Sequence, residues 1–298
     1  MSFGTAATLD DVPAYLASVR GGKAAPDDLV REFQRRFARV GGSPLTRITR
    51  DQAAALEGQL NEASDHYVVR VGMRHAPPFI VDGLRELAEA GAETAVAIIL
   101  SPQYSEVIMG GYLRALREAE AALAGKVHVT VVGAWHEEDA FVAGLAGRLR
   151  AALDALEPTE REQAPVLFTA HSLPRSVADG EPGYIEQLKT TAAAVAARAM
   201  LPRDRWTFAY QSAGHTREEW LTPDIKDLLP GLSERGHKTV VIAPVQFLAD
   251  HLEVLYDIDI AAREEADALG MTLVRTEMLN CDPTLIRALA SVARAADC

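Results

Sequence analysis

Pro165-Val166-Leu167-Phe168-Thr169-Ala170-His171-Ser172-Leu173-Pro174 decides the fold class, because an unbroken apolar or β-branched run stops abruptly at polar residues. Such a run reads as a strand buried on both faces, as in a parallel sheet, whereas half-solvated strands alternate. Similar runs occur at Val68 to Met73, Ala95 to Leu100, Val127 to Trp135, Trp206 to Gln211, Thr239 to Val245 and Thr272 to Thr276. Between them lie helical patterns: Val30 to Val40, Asp51 to Ala63, Pro78 to Ala90, Glu106 to Ala124, Glu137 to Leu156, Tyr184 to Ala199, Asp224 to Glu234 and His251 to Leu269. Strand–helix alternation predicts an α/β fold with parallel sheets covered by helices on both faces. The polar segment Glu157 to Gln163, with Pro158 and several charges, divides the chain into two doubly wound lobes, residues 1–156 and 157–298. A last helix, Pro283 to Ala296, is expected to close the chain and pack across the lobes.

Composition narrows the function. The 298 residues are 48% hydrophobic and 24% charged, in the range of globular chains, which excludes disordered and fibrous classes. With 42 acidic against 30 basic residues the formal charge is −12, which argues against nucleic-acid or anionic-membrane partners. An anionic ligand must therefore meet a local group of Arg or Lys. No apolar run is long enough to span a bilayer and no secretion signal opens the chain, so a cytoplasmic protein is expected. Two cysteines, Cys281 and Cys298, are too few for a disulfide framework, a Cys-rich zinc site or an all-cysteine iron–sulfur cluster. Neither G-x-G-x-x-G after a strand nor G-x-x-x-x-G-K-[ST] occurs, so nucleotide binding through these loops is unsupported.

Ligands of open α/β sheets sit beyond the C-terminal strand ends, where the candidate residues lie. His171 reads either as a turn histidine satisfied by backbone groups or as a neutral imidazole facing the crevice. Asp250 and Glu253 have capping-box spacing, yet a carboxylate in a first helical turn is also placed for base or ligand work. Glu253 and Asp257, four apart, share a helix face, and His251 lies off that face and reads as structural. Imidazole with carboxylate suits a divalent first-row metal and equally suits proton removal from a bound substrate. The first half supplies cations at Arg20 and Arg35-Arg36, whose guanidinium groups either hold carboxylates or line a solvated helix face. Tyr104 and Tyr112 are further crevice candidates or core residues.

Together these segments resemble the ferrochelatase family, most closely its Gram-positive-type coproporphyrin III members. The resemblance runs through Met1-Ser2-Phe3-Gly4-Thr5, Gly41-Gly42-Ser43-Pro44-Leu45, Met73-Arg74-His75-Ala76-Pro77-Pro78-Phe79-Ile80 and Ser101-Pro102-Gln103-Tyr104-Ser105. It continues through Ala170-His171-Ser172-Leu173-Pro174, Tyr210-Gln211-Ser212, Trp220-Leu221 and the specific string Phe247 to Asp257. It implies two Rossmann-like lobes around a tetrapyrrole and Fe(II) insertion into coproporphyrin III within haem biosynthesis; protoporphyrin IX and a non-catalytic tetrapyrrole carrier are the alternatives. His171 and Glu253 would be the facing catalytic pair, with metal contacts at His171, Glu253 and, leading metal inward, Asp257; Ala261 interrupts that acidic ridge. Arg20, Arg36, Phe37, Ser43, Tyr112 and Phe3 match substrate-contacting positions, and Phe3 stands where relatives often carry an axial tyrosine. Fe(II) would be the substrate metal, with no organic cofactor and no iron–sulfur cluster. The expected enzyme is a monomer with no nucleic-acid partner and no membrane span, in transient contact with the next haem-pathway enzyme. The family has an apolar strand ahead of Met-Ser-Phe-Gly-Thr, so the first lobe is expected to be short of that strand.

Overall fold

Two parallel sheets carry the fold of this computed structural model, which describes residues 1–62, 66–214 and 218–296. The expected helix end at Ala63 and the cysteine Cys298 lie outside the described residues. The second sheet takes the order β4-β3-β5-β6, from β3 (Val166–His171), β4 (Trp206–Gln211), β5 (Thr239–Pro244) and β6 (Thr272–Arg275), all parallel. The chain leaves β3 toward β4, then crosses back over β3 to place β5 on its other side. The C-terminal ends of β3 and β5 therefore flank a switch point, where open sheets bind ligands.

Side-chain alternation explains why the central strands are apolar throughout. Val166 and Phe168 of β3, with Val241 and Ala243 of β5, face α6 (Asp139–Asp154), α9 (Pro182–Arg198) and α12 (Pro283–Ala296). Leu167, Val240 and Ile242 face the opposite layer, which holds α10 (Ile225–Glu234), Val254 and Ile258. Period-two alternation with both faces covered leaves little room for polar groups, and the buried Thr169 hydroxyl donates to Gln211 Oε1 (2.7 Å).

The lobe boundary is less sharp than the polar segment implies. That segment is itself helical (α7, Pro158–Gln163), and α6, just before it, packs on α9 and β5 of the second half. The last helix, α12, bridges α6 and α3 (Leu45–Asn61). Helix α3 starts six residues before the expected Asp51, at the end of the Gly41-to-Pro44 turn. The expected helix His251 to Leu269 also differs: Val254–Ala262 is π-helical, and only α11 (Arg263–Ala268) resumes α geometry. Such wide turns are rare and recur at functional sites.

In the first sheet β1 (Thr94–Ala97) pairs in parallel with β2 (His128–Val131). The expected strand Val68 to Met73 forms no ladder; its paired residue is Met73, bridged to Ser2 and Phe79. Met1–Phe3 lies between these two elements: Leu100 N donates to Met1 O (2.8 Å), Ser2 N to Gly72 O (3.0 Å) and Arg74 N to Ser2 O (3.0 Å). Beside Met1, residues 69–72 and 95–98 border a small apolar pocket walled by Leu56, Val71, Leu84, Leu87 and Ile98. Ala97 O and Glu93 O bond toward β2, so strand alternation turns the Val96 backbone groups away from β2. Two helices, α1 (Val12–Val19) and α2 (Asp27–Arg39), cap the cleft by packing Val12, Leu16 and Phe37 on Leu252 and Tyr256. Among the described residues no helix is long and apolar enough to cross a membrane.

Candidate active site

At the switch point, β3 ends in His171 and the loop after β5 brings Gln246, Phe247 and Glu253 to the same cavity. The loop is pinned on both sides, since His171 N donates to Gln246 Oε1 (2.7 Å) and Gln246 Nε2 donates to the Tyr184 hydroxyl (2.8 Å). The cavity opens to solvent and, counting its open mouth, encloses ≈ 1470 Å³. Its walls are aromatic, from Phe3, Tyr15, Phe33, Tyr112 and Phe247, which suits a flat hydrophobic ligand.

The polar floor is built from three groups. His171 Nδ1 donates to the Ser172 carbonyl, and His251 Nδ1 donates to Ala249 O (3.2 Å). A carbonyl can only accept, so both rings carry their proton on Nδ1 when neutral and turn an Nε2 lone pair elsewhere. Both lone pairs meet Glu253 Oε2, at 3.7 Å from His171 and 3.5 Å from His251. Burial pushes the Glu253 carboxyl up, but the positive charge of His171 and His251 once protonated, a hydrogen bond from His251 and the Arg36 charge outweigh it and hold the group down at about 2. Its side chain, 46% exposed, is open toward the cavity while protein surrounds it elsewhere. A permanent anion beside two imidazole lone pairs can accept protons. Among the described residues no three or more His, Cys, Asp or Glu side chains, the expected contacts His171, Glu253 and Asp257 included, are grouped so as to enclose a metal ion.

Asp250 does not cap the helix that follows. Its carboxylate receives Arg275 (3.1 Å) and Asn280 (2.8 Å), and Arg275 also forks onto Asp259 at 2.7 and 2.8 Å. The capping-box reading of Asp250 and Glu253 is thereby replaced: Asp250 ties the loop to β6, which leaves Glu253 facing the cavity. His251, read as structural, also lines the cavity, its ring against Phe247 with centroids 4.5 Å apart. Reading the segment as an α-helix from His251 onward misplaced its ring.

The residues expected at the substrate periphery divide into two sets. Phe3, Ser43 and Tyr112 line the cavity. Arg20 is exposed at the end of α1, Phe37 is buried in the core of the α1–α2 cap, and neither lines it. Arg36 lies just outside, bonded to Glu32 (2.8 Å) and Asp257 (3.5 Å) and stacked 4.8 Å from the Tyr256 ring centroid. It joins α2 to the π-helical turn at the cavity margin. Asp257 likewise does not line the cavity; burial raises its pKa, and the Glu253 charge adds to that. Tyr104 is tied by its backbone to Gln187, by bonds of 2.8 and 3.0 Å. Arg74, to which no role was assigned, lines the cavity instead. Its arginine-histidine-proline setting gave no periodicity or spacing signal.

Known proteins agree with this architecture. The family model described as Ferrochelatase matches residues 1–297. The ferrochelatase of Deinococcus radiodurans is 40% identical over 294 residues, covering 98% of this chain and 93% of the relative. The coproporphyrin III ferrochelatase of Geobacillus thermodenitrificans is 38% identical over 296 residues, with coverage of 98% and 93%. Among solved structures, SirB from Bacillus subtilis with Fe3+ superposes with a TM-score of 0.60 at 14% identity, covering 86% of this chain and 92% of that one. This last likeness extends the shared fold to chelatases of distant sequence. The chain belongs to the ferrochelatase family, enzymes that place ferrous iron in a porphyrin.

Proposed function

We propose that the porphyrin is coproporphyrin III and that His171 and Glu253 are the groups that metallate it. The observation that carries the catalytic part is the opposition of His171 Nε2 and Glu253 Oε2 at 3.7 Å on the floor of an aromatic-walled cavity. Two pyrrole N–H protons must leave as Fe(II) enters, so the site needs acceptors beside the ring centre. His171 Nε2, its lone pair fixed by the bond from Nδ1 to Ser172 O, takes a pyrrole proton. Glu253, ionised throughout the neutral range, stabilises the imidazolium formed and with His251 carries protons away from the ring. Binding energy from the periphery would hold the macrocycle bent, so that its nitrogen lone pairs reach the metal. Fe(II) is the substrate metal, and the proposal includes no organic cofactor and no cluster. Cytoplasmic action as a monomer, with product passed to the next enzyme of haem synthesis, belongs to the same reading.

The named coproporphyrin III ferrochelatases among the relatives support this substrate, and so does an arginine on the cavity wall, because coproporphyrin III carries more carboxylates than protoporphyrin IX. Protoporphyrin IX is the second reading. Initial rates of anaerobic Fe(II) insertion into each porphyrin test it: faster turnover of coproporphyrin III is expected, and faster turnover of protoporphyrin IX reverses the substrate. Binding of both without metallation leaves only a tetrapyrrole carrier.

A further inference from the structure

Arg74 is the one arginine or lysine that lines the cavity among the described residues. It is partly buried, and among the described residues no carboxylate lies within ion-pair distance of its guanidinium. Its neighbours behave otherwise. Arg35 and Arg36 hold Glu32, Arg39 holds Glu264, and Arg275 holds Asp250 and Asp259. In a chain of net charge −12, a withdrawn arginine left without a counter-ion is an exception, because buried charges are ordinarily paired.

Its seat is specific. The guanidinium lies on bare helix backbone in α5 (Glu106–Ala122): a β-carbon on Gly111 would stand 1.9 Å from Arg74 Cζ. The Tyr112 ring centroid is 5.8 Å away, and the Arg74 charge opposes the rise that burial imposes on the Tyr112 hydroxyl. On the same cavity, the Ser43 hydroxyl is buried with no hydrogen-bond partner among the described residues. A buried donor left unsatisfied is costly, so a cation and an unfilled hydroxyl lining one cavity call for acceptors brought by the ligand.

We propose that Arg74, seated on Gly111, docks a carboxylate of the porphyrin periphery and is a specificity-determining residue, an assignment that rests on the porphyrin reading above. Guanidinium pairs carboxylate through two parallel N–H···O bonds, which orients the ring as well as holding it. Phe3, Tyr15 and Tyr112 then cover the apolar body of the ring, and the free acid is preferred over any neutral ester of the same macrocycle.

The test titrates metal-free coproporphyrin III, protoporphyrin IX and the fully esterified coproporphyrin into wild type, Arg74→Met, Arg74→Lys and Gly111→Ala, with anaerobic insertion rates read alongside. The expected result is a loss of affinity for the free acid of about tenfold or more in Arg74→Met, the scale of a charge-assisted bond. Binding of the ester stays at the wild-type level, so the loss is confined to the free acid. Arg74→Lys recovers part of the loss, and Gly111→Ala reproduces it by displacing the guanidinium. Equal affinity of wild type and Arg74→Met for both free acids overturns the proposal, as does an equal loss on acid and ester. A loss confined to protoporphyrin IX, in an enzyme that turns that porphyrin over faster, keeps the Arg74 assignment and discards the coproporphyrin one.

Discussion

His171 and Glu253 face each other at 3.7 Å, each with an unshared electron pair turned to the other. The ring is held in that tautomer by the Ser172 carbonyl, and the carboxylate is presented because Asp250, three residues earlier, is tied to Arg275 and Asn280. Without a proton or a cation between them the pair is electrostatically unfavourable. This is the condition expected of a site that collects protons as metal enters.

Replacing His171 by Ala removes the proton acceptor and leaves the aromatic walls in place. Metal insertion should fall by about 10²–10⁴-fold in kcat. Porphyrin titration of the same variant should give a Kd close to wild type. Wild-type turnover by His171→Ala would assign the proton to another group.

Glu253→Gln keeps the shape and deletes the charge, and kcat should drop by about 10²-fold or more with little change in KM for porphyrin. Because Glu253 is held down at about 2, it stays ionised at any pH where the enzyme works. The pH–rate profile of wild type should therefore show no limb near the ordinary carboxylate range that Glu253→Gln abolishes. Finding such a limb would mean the carboxylate is not held by its histidine neighbours.

Burial, with the nearby Arg74 charge, lowers the His75 imidazole to about 4 from an ordinary 6.5. Between those values the unfolded chain binds a proton that the folded chain does not, so stability should decline as pH falls through this window and be undiminished above it. Urea unfolding at pH 7, 5.5 and 4.5 measures the slope. His75→Phe, which has no proton to gain, should flatten it by up to one proton, and an unchanged slope would show that His75 does not contribute.

Gly83 of α4 (Ile80–Glu89) lies where a β-carbon would meet Val71 O at 2.6 Å. The obstacle is backbone, so it cannot swing aside. Gly83→Ala should lose about 1–3 kcal/mol of stability by denaturant unfolding, the range of overpacking. Gly58→Ala, where no atom lies within 4 Å, serves as the control and should be neutral or slightly stabilising.

The second sheet was legible in the sequence because β3 and β5 are covered on both faces and so read as continuous apolar runs. His171 was legible for the same reason, being the first polar residue where a buried strand ends. Three readings failed through long-range contacts. Asp250 has a cap's spacing, but its partner Arg275 lies on another strand. His251 was judged from α-helical phase, but the helix begins only after it, and its ring is set instead by Phe247 and the Ala249 carbonyl. Val68 to Met73 has a strand's composition, but a strand also needs neighbours, and this one is paired at Met73. Arg74 was hidden because what distinguishes it, the lack of a counter-ion and a seat on bare helix backbone, exists only in three dimensions.

The last helix gives the molecule a single fate under stress. Because α12 clasps both α3 and α6, neither half of the chain can let go of it without baring apolar surface of the other, so heat should melt the two together in one transition.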